Sequence, residues 1–142
     1  MNSASPAGPR HLRAPDASRR AAEVMRTVAA WCTAEQSAQV VAGIMRDYEV
    51  YRVSVIDPQT DRLLGTISQR ELCLRVVAAG LDPKAVTAGE IMHTQPPQCR
   101  PEADLASVAK LMLRERAHQL PVVDAENRLL GTIFLADLFV HE

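Results

Sequence analysis

The sequence predicts an α/β (α+β) fold of two packed β-α-β-β-α units with pseudo-twofold symmetry. Three observations carry this: an internal repeat, a helical apolar face in each copy, and paired β-branched runs around a polar turn in each copy. The repeat is clearest where "VSVIDPQTDRLLGTISQRE" (53–71) is echoed by "LPVVDAENRLLGTIFLAD" (120–137), with RLLGTI identical in both. A shift of 67 residues places Met25 on Met92, Cys32 on Cys99, Glu35 on Glu102 and Asp57 on Asp124. Beyond the turn the shift is 66, so that Arg62 meets Arg128 and Gly65 meets Gly131. The lost residue falls in the turn, where a change of length costs least.

Each copy opens with a short segment, "AAWC" or "PPQC", followed by a helix. Ala38, Val41, Ala42 and Met45 recur as Leu105, Val108, Ala109 and Met112, the i, i+3, i+4, i+7 spacing of one buried helix face. Ser37 and Asp104 precede these faces as N-caps, and Pro101 suits an approach to a helix but not its middle. The runs "YRVSVID" and "HQLPVVD" read as strands, and each is joined by a polar turn to "RLLGTI" as a hairpin. Pro121 has no N–H for a ladder and belongs at a strand start or edge. A second helix follows each hairpin: "SQRELCLRVVAAG", ended by Gly80, and the shorter "LADLFV". "TAGEIM" reads as a short helix between the copies. One unit of this size buries too little surface alone, so the two are expected to pack sheet against sheet. The expected boundaries are a disordered basic arm over 1–19, repeat one over 20–81, and repeat two over 82–142 with a connector at 82–91.

Of 142 residues, 47% are apolar and 23% charged, a globular composition, and only 4% are aromatic. No apolar run approaches the ~18 residues that span a bilayer, and the first twenty residues lack the apolar stretch of a secretory signal. A cytoplasmic protein without membrane contact is expected. Those twenty carry four arginines against one aspartate; with a net charge of −1 overall, the rest of the chain is at −4. An acidic body argues against a nucleic-acid partner. Three widely spaced cysteines suggest reduced, mostly buried thiols and neither a disulfide framework nor a zinc site. The four histidines show no ligand spacing, and there is no Gly-rich phosphate loop or nucleophile–base constellation. A non-enzyme is expected, with no required cofactor and no metal.

The two segments, from "VMRTVAAWC" through "LLGTISQREL" and from "IMHTQPPQC" through "LLGTIFLADL", resemble two CBS domains, a tandem pair or Bateman module. The likeness runs from about Arg20 to the end of the chain, which also resembles the stand-alone CBS-pair proteins of bacteria. It implies a regulatory module that stacks into homodimers through helix faces. It further implies clefts between the units that bind AMP, ADP, ATP or S-adenosylmethionine, and an unidentified protein partner.

In that family a Ser or Thr three positions before an Asp marks the start of each second helix. Here copy one reads Ser68-Gln69-Arg70-Glu71 and copy two reads Phe134-Leu135-Ala136-Asp137, each keeping half of the pattern. A helix start offers N–H groups and positive potential to phosphate, and a carboxylate accepts from ribose hydroxyls. Ser-x-x-Glu is equally a capping box that satisfies only its own backbone. Arg70 stands where it could fork onto a phosphate, and Phe134 could pack or stack. The resemblance assigns Gln95, Pro97, Ala117 and His118 to the cleft of Ser68 and Glu71. It assigns Val28, Ala30, Val50 and Tyr51 to the cleft of Asp137. Two readings follow: an adenosyl-ligand sensor, or a ligand-free dimerising scaffold whose sites have decayed.

Overall fold

The structure, a computed structural model, describes residues 12–13, 15–27 and 30–141. In chain order, β1 (Leu12–Arg13) and α1 (Ala21–Val24) precede the first unit: β2 (Trp31–Cys32), α2 (Ala38–Tyr48), β3 (Arg52–Ile56), β4 (Leu63–Ser68) and α3 (Gln69–Leu72). A π-helical turn over Cys73–Val77 extends α3. The second unit has α4 (Ala88–Ile91), α5 (Leu105–Glu115), β5 (Gln119–Val123), β6 (Leu129–Phe134), a 3-10 turn over Leu135–Leu138 and β7 (Val140–His141).

Both hairpins form as the turn chemistry predicts. β3 pairs β4 antiparallel with Val53 opposite Ile67 and Val55 opposite Gly65, and the register shifts after Val55. β5 repeats this against β6, with Leu120 opposite Ile133, Val122 opposite Gly131 and the shift after Val122. Asp61 and Asn127 take left-handed conformations at φ 63° and 65° in the matching turns, residue types that tolerate this region. Ser37 and Asp104 cap α2 and α5, accepting from the Val40 and Ser107 N–H groups.

The opening segments differ between copies, and Pro121 is the cause. In the first unit Ser54 N–H donates to the Ala30 carbonyl at 3.1 Å and β2 lies parallel beside β3. Pro121 holds the place of Ser54 and has no N–H to give, so the second unit keeps only a bridge from Cys99 to Val122.

The two units interlock. Ala21 of α1 is buried with Leu105, Val108, Met112 and Leu120 in the second core. Ala88 and Ile91 of α4 are buried with Val41, Val53 and Ile67 in the first. Each short helix thus packs into the core of the other unit. Backbone pairs repeat the exchange: Arg26 N–H donates to the Thr132 carbonyl at 2.8 Å and Thr132 N–H to the Arg26 carbonyl at 2.9 Å, while His93 N–H donates to the Thr66 carbonyl at 2.8 Å and Thr66 N–H to the His93 carbonyl at 3.1 Å. Arg62 and Arg128 bridge on the pseudo-twofold axis itself.

Three local expectations are corrected. Ala42 is exposed and Ile44 instead turns partly toward the first core, so the buried stripe of α2 differs from that of α5. The helix ended by Gly80 (φ 70°) is α-helical for only four residues before its hydrogen bonds lengthen to the π pattern. "LADLFV" is a 3-10 turn and then a strand, because Phe139 is extended and β7 pairs antiparallel with β1. Most of the arm expected over 1–19 lies outside the described residues. Within it β1 is paired, and Leu105 N–H donates to the Arg19 carbonyl at 3.0 Å.

Candidate functional site

The pseudo-twofold axis brings the starts of β3 and β5 and the ends of β4 and β6 to one side of the molecule, where they border a single open cavity of about 1270 Å³. That exceeds the ~300–1,000 Å³ of a pocket for one small ligand. Its walls come from both units in equivalent pairs: Glu49 with Arg116, Tyr51 with His118, Arg52 with Gln119, Ser68 with Phe134, Gln69 with Leu135 and Arg70 with Ala136. The pairs are chemically unequal. Where the first unit supplies Ser68, Gln69 and Arg70, the second supplies the apolar Phe134, Leu135 and Ala136.

At the start of α3, Glu71 Oε1 accepts from the Ser68 N–H at 2.6 Å and from the Ser68 hydroxyl at 2.7 Å. Glu71 N–H donates back to Ser68 Oγ at 3.4 Å. This is a complete capping box. Arg52 emerges from the first position of β3, donates to Thr66 Oγ1 at 3.1 Å, and is half-buried. Desolvation holds its guanidinium below the usual range, and the charge of Glu71 works the other way. Among the described residues no carboxylate lies within ion-pair distance of Arg52. Arg70, Arg116 and His93 add exposed cationic or polarisable groups to the same walls.

Of the residues assigned from sequence, the cavity gathers Ser68, Arg70, Glu71, Pro97 and His118, together with Val50 and Tyr51 from the other expected cleft. Two separate clefts therefore appear as one opening. Gln95 is exposed outside it, although His93 and Pro97 on either side line the wall. Ala117 is buried in the second core and Ala30 packs against the first, so neither lines the wall. Asp137 is turned aside: Arg26 Nε donates to Oδ2 at 2.9 Å and Nη2 to Oδ1 at 3.2 Å, with the guanidinium 4.4 Å from the Phe134 ring centre. Val28 lies outside the described residues.

Sequence reasoning missed Arg52, Arg116, His93 and Arg26. Arg52 could have been found, since an arginine opening a strand whose next four residues are buried must send its charge somewhere.

Among the described residues no helix is long and apolar enough to cross a membrane. No group of three or more His, Cys, Asp or Glu among them could hold a metal ion.

Known proteins agree with this architecture. Hypoxic response protein 1 of Mycobacterium tuberculosis is 28% identical over 111 residues, covering 78% of this chain and 76% of that one. The uncharacterized protein MK0525 of Methanopyrus kandleri is 27% identical over 107 residues, covering 75% of this chain; the match spans 54% of that relative's length. A crystal structure of Hypoxic Response Protein I with two coordinated zinc ions superposes with a TM-score of 0.74 at 25% identity, covering 84% and 95% of the two chains. The cytosolic domain of the Mg2+ channel MgtE in complex with ATP gives 0.68 at 28% identity, covering 80% of this chain and 45% of that one. The family model for the CBS domain matches residues 21–78 and again 88–141. With two such matches on interlocked halves of one fold, the chain belongs to the CBS-domain family as a tandem pair.

Proposed function

We propose that the chain is a regulatory sensor that binds an adenosine-containing ligand in the cavity and acts through shape and partner affinity, without chemistry. The observation that carries this is the open cavity between the units, with a capped helix start at Ser68–Glu71 beside the desolvated Arg52, which has no carboxylate partner among the described residues. A half-buried cation with no carboxylate partner is satisfied by an anion arriving from solvent. The ligand seat is built from Ser68, Arg70 and Glu71, with Pro97, Val50, Tyr51 and His118 around it. Phosphate on Arg52 and Arg70 favours AMP, ADP or ATP over S-adenosylmethionine, whose sulfonium would meet like charge. The ATP-bound relative at 28% identity supports the same choice.

A second copy of the chain is the proposed partner. Leu74 and Val77 on the π-helical turn and Leu81 just past Gly80 are 53%, 75% and 47% exposed, an apolar group outside both cores. No nucleic-acid or membrane partner is invoked, and the cytoplasm is the compartment that suits free nucleotide and reduced thiols.

The competing reading, a scaffold without ligand, is favoured by one observation: both carboxylates expected to hold ribose are engaged internally, Glu71 by Ser68 and Asp137 by Arg26. Thermal-shift titration against AMP, ADP, ATP, NAD and S-adenosylmethionine separates the two. A true ligand at a hundred times its Kd stabilises by ~2.7 kcal/mol. A saturable rise supports the sensor, flat curves at millimolar ligand leave the scaffold, and nucleotide hydrolysis would overturn the non-catalytic reading.

A further inference from the structure

The pseudo-twofold axis allows one half of the cavity to serve as a control for the other. In the first half, Ser68 and Glu71 sit at a helix start with His93 opposite, and among the described residues the His93 side chain makes no hydrogen bond to Glu71. At the equivalent positions of the second unit stand Phe134, which lines the cavity, and Asp137 and Arg26, which do not. Here both carboxylate oxygens of Asp137 are taken by Arg26, at 2.9 and 3.2 Å, and the same guanidinium covers the Phe134 ring at 4.4 Å. A flat, delocalised cation that forks onto a carboxylate and lies on an aromatic ring uses the two surfaces a nucleoside would need, the ribose acceptor and the stacking face.

We infer that Arg26 stands in for a ligand in the second unit, holding Asp137 out of the cavity and covering the Phe134 ring, so that each chain takes one adenosine ligand, seated at Ser68 and Glu71. This rests on the nucleotide reading above and adds to it the residue that sets stoichiometry. The backbone of Arg26 is held independently of its side chain, by reciprocal hydrogen bonds with Thr132 at 2.8 and 2.9 Å. Replacing the side chain therefore opens the site while leaving the interlock of the two units in place.

The experiment is isothermal titration of the full chain with AMP, ATP and S-adenosylmethionine in turn, comparing wild type, Arg26→Ala, Arg26→Gln and the Arg26→Ala/Glu71→Ala double variant. The expected result is one ligand per wild-type chain and two on each single variant, the second site unfilled in wild type at tenfold the concentration that saturates the first. The double variant should return to one. Two ligands on wild type, or one on both single variants, overturns the role of Arg26 while leaving nucleotide binding established. No heat with any probe on any variant overturns both readings together.

Discussion

The backbone of Gly65 lies so close to His93 that a β-carbon added to it would stand 2.6 Å from the His93 carbonyl oxygen and 2.8 Å from Met92 Sδ. The contact exists because Thr66 and His93 exchange backbone hydrogen bonds across the two units. The Met92 side chain can swing aside, but the His93 carbonyl cannot yield without breaking that pair. Gly65→Ala should therefore destabilise by about 1–3 kcal/mol through overpacking, read as a lower urea midpoint. An unchanged midpoint would mean that the interlock between the units is looser than the geometry indicates.

Ser37 and Ser68 cap different helices, and only Ser68 borders the cavity. Ser37→Ala and Ser68→Ala should each cost about 1 kcal/mol of stability as lost caps. Ser68→Ala alone should also weaken nucleotide binding. Equal affinity in both variants would reduce Ser68 to its capping role.

Arg52 is the cation most in need of a counter-ion. Arg52→Gln should leave the melting temperature nearly unchanged, since it removes a desolvated charge as well as one hydrogen bond to Thr66. The same change should weaken ATP binding roughly ten- to a hundredfold, the worth of a hydrogen bond to a charged group. Calorimetry gives the second number and thermal unfolding the first; a large fall in stability with ATP affinity intact would make Arg52 a structural residue only.

The cysteines offer a pH test. Burial pushes the Cys32 thiol up to about 12 and the Cys99 thiol to about 11, against 9.0 for an unburied thiol. The folded chain holds these protons longer than the unfolded one. Stability from the neutral thiols is thus complete below pH 9 and is lost as pH rises through 11 and 12. Urea unfolding at pH 8 and pH 10.5 should show a fall that is smaller in the Cys32→Ala/Cys99→Ala variant. At pH 8 the native chain should expose one thiol to a colorimetric reagent, Cys73, and the unfolded chain three.

The apolar group at Leu74, Val77 and Leu81 predicts a homodimer in solution. Leu74→Glu combined with Val77→Glu should convert it to monomer by light scattering, with the far-UV spectrum retained, since both side chains lie outside the cores. A wild-type chain that is already monomeric at micromolar concentration would remove this surface as a dimer contact.

The sequence alone determined the architecture because its signals are local. Spacing along α2 and α5, caps at Ser37 and Asp104, and the turns at Asp61 and Asn127 depend on neighbours within a few residues, and RLLGTI written twice made the second unit follow from the first. The 3-10 turn over Leu135–Leu138 escaped that logic, because the pairing of β7 with the distant β1 ends the helix early. The site was legible only in its parts. Ser68 and Glu71 announce themselves as a helix start, but nothing along the chain says that Arg26 will reach Asp137, 111 residues away, or that Val50 and Tyr51 will share a wall with Pro97 and His118. Those meetings are decided by the pseudo-twofold axis, on which each unit buries the other's short helix. Periodicity sets which face of an element turns inward, and only packing sets what that face, and the charges beside it, will meet.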